Sequence, residues 1–237
     1  SAAPPAPPPP PPSGSAAAAI DSLLRRSVLP MMSALLTVSH SDDTVPLFAL
    51  KLLEGLVEAN QAYVLDLDRM GLAARFFDFL ALEHHNNNVH NIGLCRHVVA
   101  SGCLSVEKLL SLKASEKVGA VLKYAASNSI GAFLEPVLDL CHTIMQRDLQ
   151  EVDAGTSNGN LSGVFLEQAS TLLELTGYGY VKVSVSAALC LADLVAMFPQ
   201  DCAPWMLTSD NVALIVSVLK GEHLTAVQQD GQMEGGA

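Results

Sequence analysis

Aromatic and charged residues are scarce in this sequence. Aromatic residues make up 5% of its 237 positions and charged residues 16%, whereas hydrophobic residues make up 50%. Few aromatics beside abundant Leu, Val and Ala favour helices with leucine-rich faces over a β-sandwich. No apolar run approaches the roughly 20 residues that span a bilayer. We therefore predict a chain that packs a core of its own and contains no membrane segment.

Positive charge is scarce as well. Thirteen Lys and Arg residues stand against 24 Asp and Glu residues, which gives a net charge of −11. Because phosphate backbones and anionic lipids attract basic surfaces, we predict neither nucleic acid nor a membrane as partner. The five cysteines are odd in number and scattered through apolar patterns, which favours a reducing, intracellular compartment over a disulfide framework. They are Cys95, Cys103, Cys141, Cys190 and Cys202.

Catalytic signatures are absent from the sequence. It contains no P-loop, no GxSxG elbow and none of the kinase motifs VAIK, HRD and DFG. The segment Gly177–Tyr180, GYGY, lacks the third glycine and the strand–loop–helix context of a phosphate-binding loop, so it predicts a turn. The carboxylates show no sign of a paired acid and base. We predict a segment that is not an enzyme and needs no cofactor and no small-molecule substrate.

A cluster of zinc-binding residue types invites a metal hypothesis. His84, His85, His90, Cys95 and His97 lie within fourteen positions. Their spacing matches no structural zinc module, because the sequence has neither a CxxC pair nor an HExxH motif. We favour a polar turn at HHNNN followed by a helix, and we predict no metal site.

The best-formed element of the sequence is the stretch Val45–Val57, VPLFALKLLEGLV. Its residues Leu50, Leu53, Leu56 and Val57 recur at three- and four-residue spacing, which places them on one face of a helix. Charged residues fall on another face of the same helix. The stretch therefore predicts an amphipathic helix that needs neighbours to cover its apolar face.

This pattern recurs at shifts of 44, 88 and 138 residues. The matching residues are Gly93, Leu94, His97 and Ser101 in the second copy, Leu138, Cys141, Ile144 and Met145 in the third, and Ala187, Ala188, Leu191, Leu194 and Val195 in the fourth. A period in the forties with helical content is typical of HEAT and armadillo solenoids, in which stacked repeats bury each other's apolar faces. We predict an all-α, armadillo/HEAT-like α-solenoid of about four to five helical repeats.

The composition divides the chain into three parts. Residues 1–19 are rich in Pro and Ala and predict an extended linker. Residues 20–220 form the predicted repeat domain, with a loop insertion at 149–162, and residues 221–237 are a polar, Gly-rich stretch that predicts a flexible tail. Since the sequence opens on SAAPPAPPPPPPSGS without an initiator Met, we expect a C-terminal fragment of a longer protein.

Exposed helix faces supply the candidate protein-interaction residues. We predict Lys51, Glu54, Asn91, Arg96, Lys108, Lys113 and Lys117. Four lysines lie within residues 104–123 against two glutamates, a local basic patch that would suit an acidic partner surface such as an acidic tubulin tail. The alternative, which we favour, is a helix face that is merely solvated.

Two stretches resemble a known family. They are VPLFALKLLEGLVEANQAYVLDLDRMGLAARFFDFL, residues 45–80, and SAALCLADLVAMFPQDCAPWMLTSDNVALIVSVLK, residues 186–220. Both resemble the C-terminal helical repeats of the Fused and unc-51-like kinase family, in particular its fourth unc-51-like type. The asparagine found late in the third helix of many armadillo repeats is not evident near Gly55–Glu58, so we do not expect an asparagine ladder that binds peptides.

The resemblance implies a helical scaffold in a larger protein with an N-terminal kinase or pseudokinase domain. It further implies an intracellular location in the cytoskeleton and the cilium, at the central microtubule pair of the axoneme. Our first hypothesis is accordingly a non-catalytic scaffold that joins proteins of a large, microtubule-associated assembly. The alternatives are a regulatory arm that positions substrates for an active serine/threonine kinase, and a transport-type adaptor that binds linear peptides.

Overall fold

A computed structural model describes residues 13–37 and 44–221. Within these ranges the chain forms fourteen α-helices. They are α1 (Ser13–Leu23), α2 (Leu29–Thr37), α3 (Thr44–Ala59), α4 (Tyr63–Arg69), α5 (Leu72–Asp78), α6 (Val89–Ser101), α7 (Val106–Ser111), α8 (Ala114–Ser127), α9 (Gly131–Asp153), α10 (Asn160–Gly163), α11 (Ala169–Thr176), α12 (Val181–Met197), α13 (Pro199–Met206) and α14 (Ser209–Leu219). A 3₁₀ helix, Val164–Gln168, leads into α11, and no strand occurs in the described ranges.

The helices pack in two layers. In the first layer α3, α6, α9 and α12 lie side by side, and each contacts the next in chain order. In the second layer α2, α5, α8 and α11 each pack against the helix of the first layer that follows them in the chain. We call the first set the third helices and the second set the second helices. Repeated stacking of this kind is an α-solenoid, so the predicted fold class is confirmed.

The buried residues of the third helices reveal the repeat register. Helix α3 buries Pro46, Ala49, Leu50, Leu53 and Val57. At a shift of 88 residues, α9 buries all five equivalents, which are Leu134, Val137, Leu138, Cys141 and Met145. At a shift of 137 residues, α12 buries four, which are Val183, Ala187, Cys190 and Leu194. The predicted shift of 138 is therefore wrong by one residue, because both registers offer apolar residues and only the neighbouring helices decide which are covered.

Pro30 lies directly after an interruption of the α-helical hydrogen bonding in the first helical region. Between α1 and α2 the segment Leu24–Val28 is π-helical, and the backbone N–H of Leu29 donates to the carbonyl of Leu24, five residues earlier. Proline lacks an N–H and its ring collides with the carbonyl four residues before it, which disrupts the α-helical ladder at this point. The chain forms a π-helical turn at this point, and the helix is widened without being broken.

Several predicted boundaries differ from the structure. The predicted loop at 149–162 narrows to residues 154–159, because α9 continues to Asp153 and α10 begins at Asn160. Helix α13 contains two prolines, Pro199 and Pro204, a residue type that usually marks the end of a helix. Pro199 instead occupies the first turn of α13, where its missing N–H costs nothing.

The ends of the chain are described in part. Helix α1 begins at Ser13, within the predicted linker 1–19. Residues 1–12, residues 38–43 with the predicted capping residues Asp42 and Asp43, and the predicted tail from residue 222 onward lie outside the described residues.

Helix length was also compared with the thickness of a membrane. Among the described residues, no single helix is both long and apolar enough to cross a bilayer. The helices α13 and α14 meet that requirement only when they are taken together, and they are bent by 91° at their junction.

Candidate protein-binding surface

One side of the third-helix layer is left uncovered by the second helices. The second helices α5, α8 and α11 pack on one side of α6, α9 and α12, and neighbouring third helices close the flanks. We call the remaining exposed side of α3, α6, α9 and α12 the third-helix face. A face formed by successive repeats is the kind of extended surface on which solenoids bind partners.

Polar pairs join α9 to α12 along the edge of this face. Lys182 Nζ donates to Glu135 Oε1 at 3.0 Å, Ser186 Oγ to Asp139 Oδ1 at 2.9 Å, and Gln146 Nε2 to Asp193 Oδ1 at 2.7 Å, while His142 Nδ1 lies 2.7 Å from Asp193 Oδ2. The four α9 positions are one helical turn apart, so a polar contact joins α9 to α12 at each of these turns. At about 0.5–1.5 kcal/mol for a typical hydrogen bond, the set fixes the register of α12 on α9.

The seam between α3 and α6 carries a similar pair. Glu54 Oε2 lies 2.6 Å from His90 Nδ1, and both side chains are partly buried. Gly93 makes room for this carboxylate, because a Cβ atom at this position would collide with Glu54. Glu54, a predicted interaction residue, is therefore engaged in holding two third helices together.

An apolar row runs along the exposed side of α12. Val181, Val185 and Leu189 follow one another at one-turn spacing and are 55%, 52% and 45% exposed. The exposed residues Ala192 and Ala196 continue the row. Apolar side chains that are aligned and exposed in this way mark interaction surfaces more often than isolated ones do.

Comparison with known proteins adds the family context. The RUNKEL ARM-repeat domain family matches residues 72–164, from α5 into the 3₁₀ helix. The chain carries an armadillo-like repeat region. It is 28% identical over 156 residues to the serine/threonine-protein kinase RUNKEL of Arabidopsis thaliana, and the aligned part is 66% of this chain but 11% of that protein. These matches confirm the predicted resemblance to the repeats of a Fused-type kinase family.

A solved structure supports the fold of this repeat region. The crystal structure of an engineered protein superimposes with a TM-score of 0.54 at 16% sequence identity, and the alignment covers 89% of this chain and 86% of that one. At this level of identity the likeness concerns the fold alone. The family match at residues 72–164 includes two third helices, α6 and α9, whereas the apolar row on α12 lies beyond it.

Asn91 is not on an exposed face, and that prediction is wrong. The side chain is fully buried, and its Nδ2 donates to the carbonyl of Phe76 at 3.0 Å. Helix α6 is packed by α3, α5 and α9, so a position that looks polar and solvated in the sequence is enclosed in the array. Asn91 ties the end of α5 to α6 instead of facing a partner.

The predicted lysines lie apart from the third-helix face. Lys108 is exposed on α7, and Lys113 is exposed at the junction with α8, where its φ is 52°. Lys117 reaches across to the second helix α5, where its Nζ lies 3.1 Å from Asp78 Oδ1. The structure thus divides the predicted set into these three lysines and a second group, Lys51, Glu54 and Arg96, on third helices.

Arg96 borders a cavity of about 580 Å³ at the edge of the third-helix face. Gln61, Leu65 and His97 also line it, and Arg96 forms no ion pair within the described ranges. His97 Nδ1 lies 2.9 Å from Gln61 Nε2, and burial lowers the pKa of this histidine. Arg96 is therefore the predicted residue best placed to receive an acidic side chain.

The predicted His and Cys cluster is dispersed over separate contacts. The His84 ring stacks on Phe79 and His85 at centroid distances of 4.9 and 4.6 Å, whereas His90 pairs with Glu54. Among the described residues no group of three or more potential ligands could hold a metal ion. The polar turn predicted at HHNNN is present, and its Asn88 side chain accepts from the backbone N–H groups of His90 and Asn91 at the start of α6.

We expect iodoacetamide to modify Cys103 in the native chain at least roughly tenfold faster than the other four cysteines, because those are fully buried and react only through local opening. Burial raises the pKa of all five thiols, that of Cys103 included, so the expected difference rests on access of the reagent to the thiol. Mass spectrometry of timed samples checks the order. After denaturation in urea we expect the five cysteines to react at equal rates. Equal rates in the native chain would contradict the burial of the four cysteines.

Sequence reasoning missed the apolar row on α12. Its start, Val181–Val185, is rich in β-branched residues, which are typical of strands, whereas the structure shows helix from Val181. The available signal was a second set of apolar residues, offset from the buried set yet also at four-residue spacing. A helix that is apolar on two sides predicts one face for the core and another for a partner.

Proposed function

We propose that this chain is a non-catalytic protein-interaction region of a larger kinase- or pseudokinase-type protein. The similarity to the ARM-repeat domain of a kinase supports this proposal, and an ARM-repeat domain is not itself catalytic. In this role the array holds its surfaces rigidly in place while other proteins dock on them.

The observation that carries the proposal is the apolar row on α12. Covering Val181, Val185 and Leu189, which are about half exposed, would contribute roughly 1 kcal/mol each from burial. The polar pairs between α9 and α12 border the row, so an apolar centre has a polar rim on one side. Protein interfaces share this arrangement. The expected partner surface is therefore apolar at its centre, with hydrogen-bonding groups towards α9.

We expect the double substitution Val185→Asp with Leu189→Asp to weaken partner binding roughly tenfold or more, since two charges would be buried at the centre of the contact. The matched control is Tyr124→Asp on the second helix α8, whose side chain is 49% exposed. Cross-linking mass spectrometry of the tagged protein in its native cells measures the partners. Unchanged cross-links for the double variant, with an unchanged circular dichroism spectrum, would reject the third-helix face as the binding surface.

On the basis of the family resemblance alone, we extend the proposal to the partner proteins and to the cellular location. The expected partners are proteins of a microtubule-associated assembly, and the expected location is intracellular, in the cytoskeleton and at the central pair of the ciliary axoneme. Fluorescence of the tagged protein in a ciliated cell of its own organism tests this location. A signal confined to other structures would reject it while leaving the interaction role intact.

The name of the similar Arabidopsis protein, a serine/threonine-protein kinase, favours one further candidate. In this version the array is the regulatory arm of an active kinase and positions its substrates. The deciding observation is the sequence preceding Ser1 in the full-length protein. Intact Lys, HRD and DFG motifs would favour the regulatory arm, and degraded motifs would favour the scaffold.

A further inference from the structure

Within the array every third helix occupies the same kind of groove. Helix α6 lies against the preceding third helix α3 and its own second helix α5. Helix α9 lies in the same way against α6 and α8, and α12 against α9 and α11. In three places, therefore, the groove between a third helix and the next second helix is filled by another helix.

The fourth groove of this kind has no such occupant among the described residues. Helix α13 follows α12, and α14 packs beside α11 in the position of the next second helix. Between α12 and α14 lies a cavity of about 480 Å³ that is lined by apolar side chains, among them Leu191, Val195 and Ile215. Leu219, at its edge, is 81% exposed. An exposed apolar groove without a described occupant indicates a contact surface.

The chemistry of the groove restricts what fits it. Its only polar lining side chain is Thr176, whose hydroxyl already donates to the carbonyl of Leu173 at 2.6 Å. A matching surface must therefore be apolar throughout. The α12 wall extends from Ala188 to Ala196, a length of about 12 Å at 1.5 Å per residue. This corresponds to a helix that presents Leu, Ile, Val or Met at positions i, i+3 or i+4, and i+7.

The residues that follow Gly221 are poorly suited to this role. Residues 222–237 contain three large apolar residues, Leu224, Val227 and Met233, and four glycine or acidic residues after Asp230. Helix α12, in the equivalent groove before it, buries five side chains, which are Val183, Ala187, Cys190, Leu191 and Leu194. Residues 222–237 therefore match the groove less well than α12 matches its own.

We propose that the groove between α12 and α14 binds an amphipathic helix of a partner protein, which completes the last repeat from outside. The proposal rests on the interaction role proposed above and names a second surface for it. The partner helix continues the internal stack, so its apolar stripe resembles those of α6, α9 and α12. The groove shares Ala192 and Ala196 with the apolar row on α12, whereas Val181, Val185 and Leu189 of that row do not line it.

The probe for the test is a fluorescein-labelled synthetic peptide with the sequence of residues 131–153, in which Cys141 is replaced by serine. It carries the apolar stripe of α9 and fills an equivalent groove inside the molecule. We expect saturable binding to the full chain in the micromolar range by fluorescence anisotropy. A peptide with the further change Ile144→Glu, which breaks the stripe, is expected to bind at least tenfold more weakly. No saturable binding of the intact peptide would overturn the proposal.

Two double variants of the chain locate the site. Ala188→Glu with Leu219→Glu places charge in the groove and is expected to weaken peptide binding at least tenfold. Ala120→Glu with Leu207→Glu changes residues of the same types that are also exposed but lie outside the groove, and binding should stay within twofold. Both pairs alter exposed positions, so circular dichroism should show both variants folded. Equal binding by the two variants would overturn the proposal.

Other occupants give different results. If a second copy fills the groove, sedimentation will show a dimer that Leu219→Glu converts to monomer, and the partner proposal is overturned. If residues 222–237 fill it, Leu224→Glu with Val227→Glu will strengthen peptide binding, with the same consequence. The variant Val185→Asp with Leu189→Asp should bind the peptide normally. A failure of the third-helix face in cells is thereby distinguishable from a failure of the groove.

Discussion

Replacement of Leu138 by alanine is expected to lower the free energy of unfolding by about 2–5 kcal/mol. Leu138 is fully buried in α9, the third helix that contacts both α6 and α12. Its carbonyl also accepts from the Cys190 thiol, whose Sγ lies 3.4 Å away. Truncation removes apolar burial and leaves a cavity where three helices meet, and a packed array relaxes only partly into such a cavity.

Urea denaturation followed by circular dichroism measures this loss. The matched control is Leu52→Ala on α3, where the side chain is 54% exposed and the expected change is within about 0.5 kcal/mol. Equal losses for the two leucines would contradict the layer assignment. A shift in the slope of the urea transition for Leu138→Ala alone would indicate that the array unfolds in parts.

Asp148→Asn is expected to destabilise the chain by about 2–3 kcal/mol. The carboxylate is fully buried and accepts from Ser157 Oγ at 2.6 Å and from the Ser162 backbone N–H at 2.8 Å. An amide of the same shape offers only one acceptor oxygen, so its NH₂ group must face one of these two donors. If the NH₂ group faces Ser157 it can donate to the hydroxyl oxygen, so the loss is that of two hydrogen bonds to a charged acceptor, which are stronger than their neutral replacements. The turn between α9 and α10 is then anchored more weakly.

Hydrogen exchange at the Ser162 amide provides the specific readout, because a general loss of stability would not single out this position. Asp153→Asn, at the exposed end of α9, is the matched control and is expected to stay within about 0.5 kcal/mol of the parent. Removal of a negative charge from a helix C-terminus even acts in the favourable direction. Unchanged exchange at Ser162 in the Asp148 variant would contradict the anchoring role.

Asp148 also explains why the loop after α9 is shorter than predicted. The sequence from Leu149 to Ser162 is acidic at its start and rich in Gly, Asn and Ser, which is typical of a surface loop. In the structure a buried carboxylate draws Ser157 and Ser162 back onto α9. A contact between side chains nine and fourteen residues apart leaves no periodic signal, so sequence patterning does not reveal it.

The sequence predicted which types of residue the candidate surface would carry, but it did not predict which positions are exposed. Arg96 was predicted, and it borders an open cavity on a third helix. Asn91, five residues before it on the same helix, is fully buried, because α6 is contacted by α3, α4, α5 and α9. A polar residue type predicts exposure only when it lies on the side of its helix that faces water, and on α6 that side is narrow and includes Arg96 and Ala100.

The sequence by itself determined the all-α repeat array, the positions of its long helices and the face that each turns to the core. It could do so because an apolar stripe at helical spacing is a local property, written in residues three and four apart. Only the tertiary structure decided which of the remaining apolar faces stay uncovered. Val185 on α12 is as apolar as the core residues of that helix, Leu219 on α14 is equally apolar, and only the absence of a described neighbour leaves the two exposed. Whether a side chain is buried depends on the helix that packs against it. Where the sequence allows two registers, the stacking of the helices selects one.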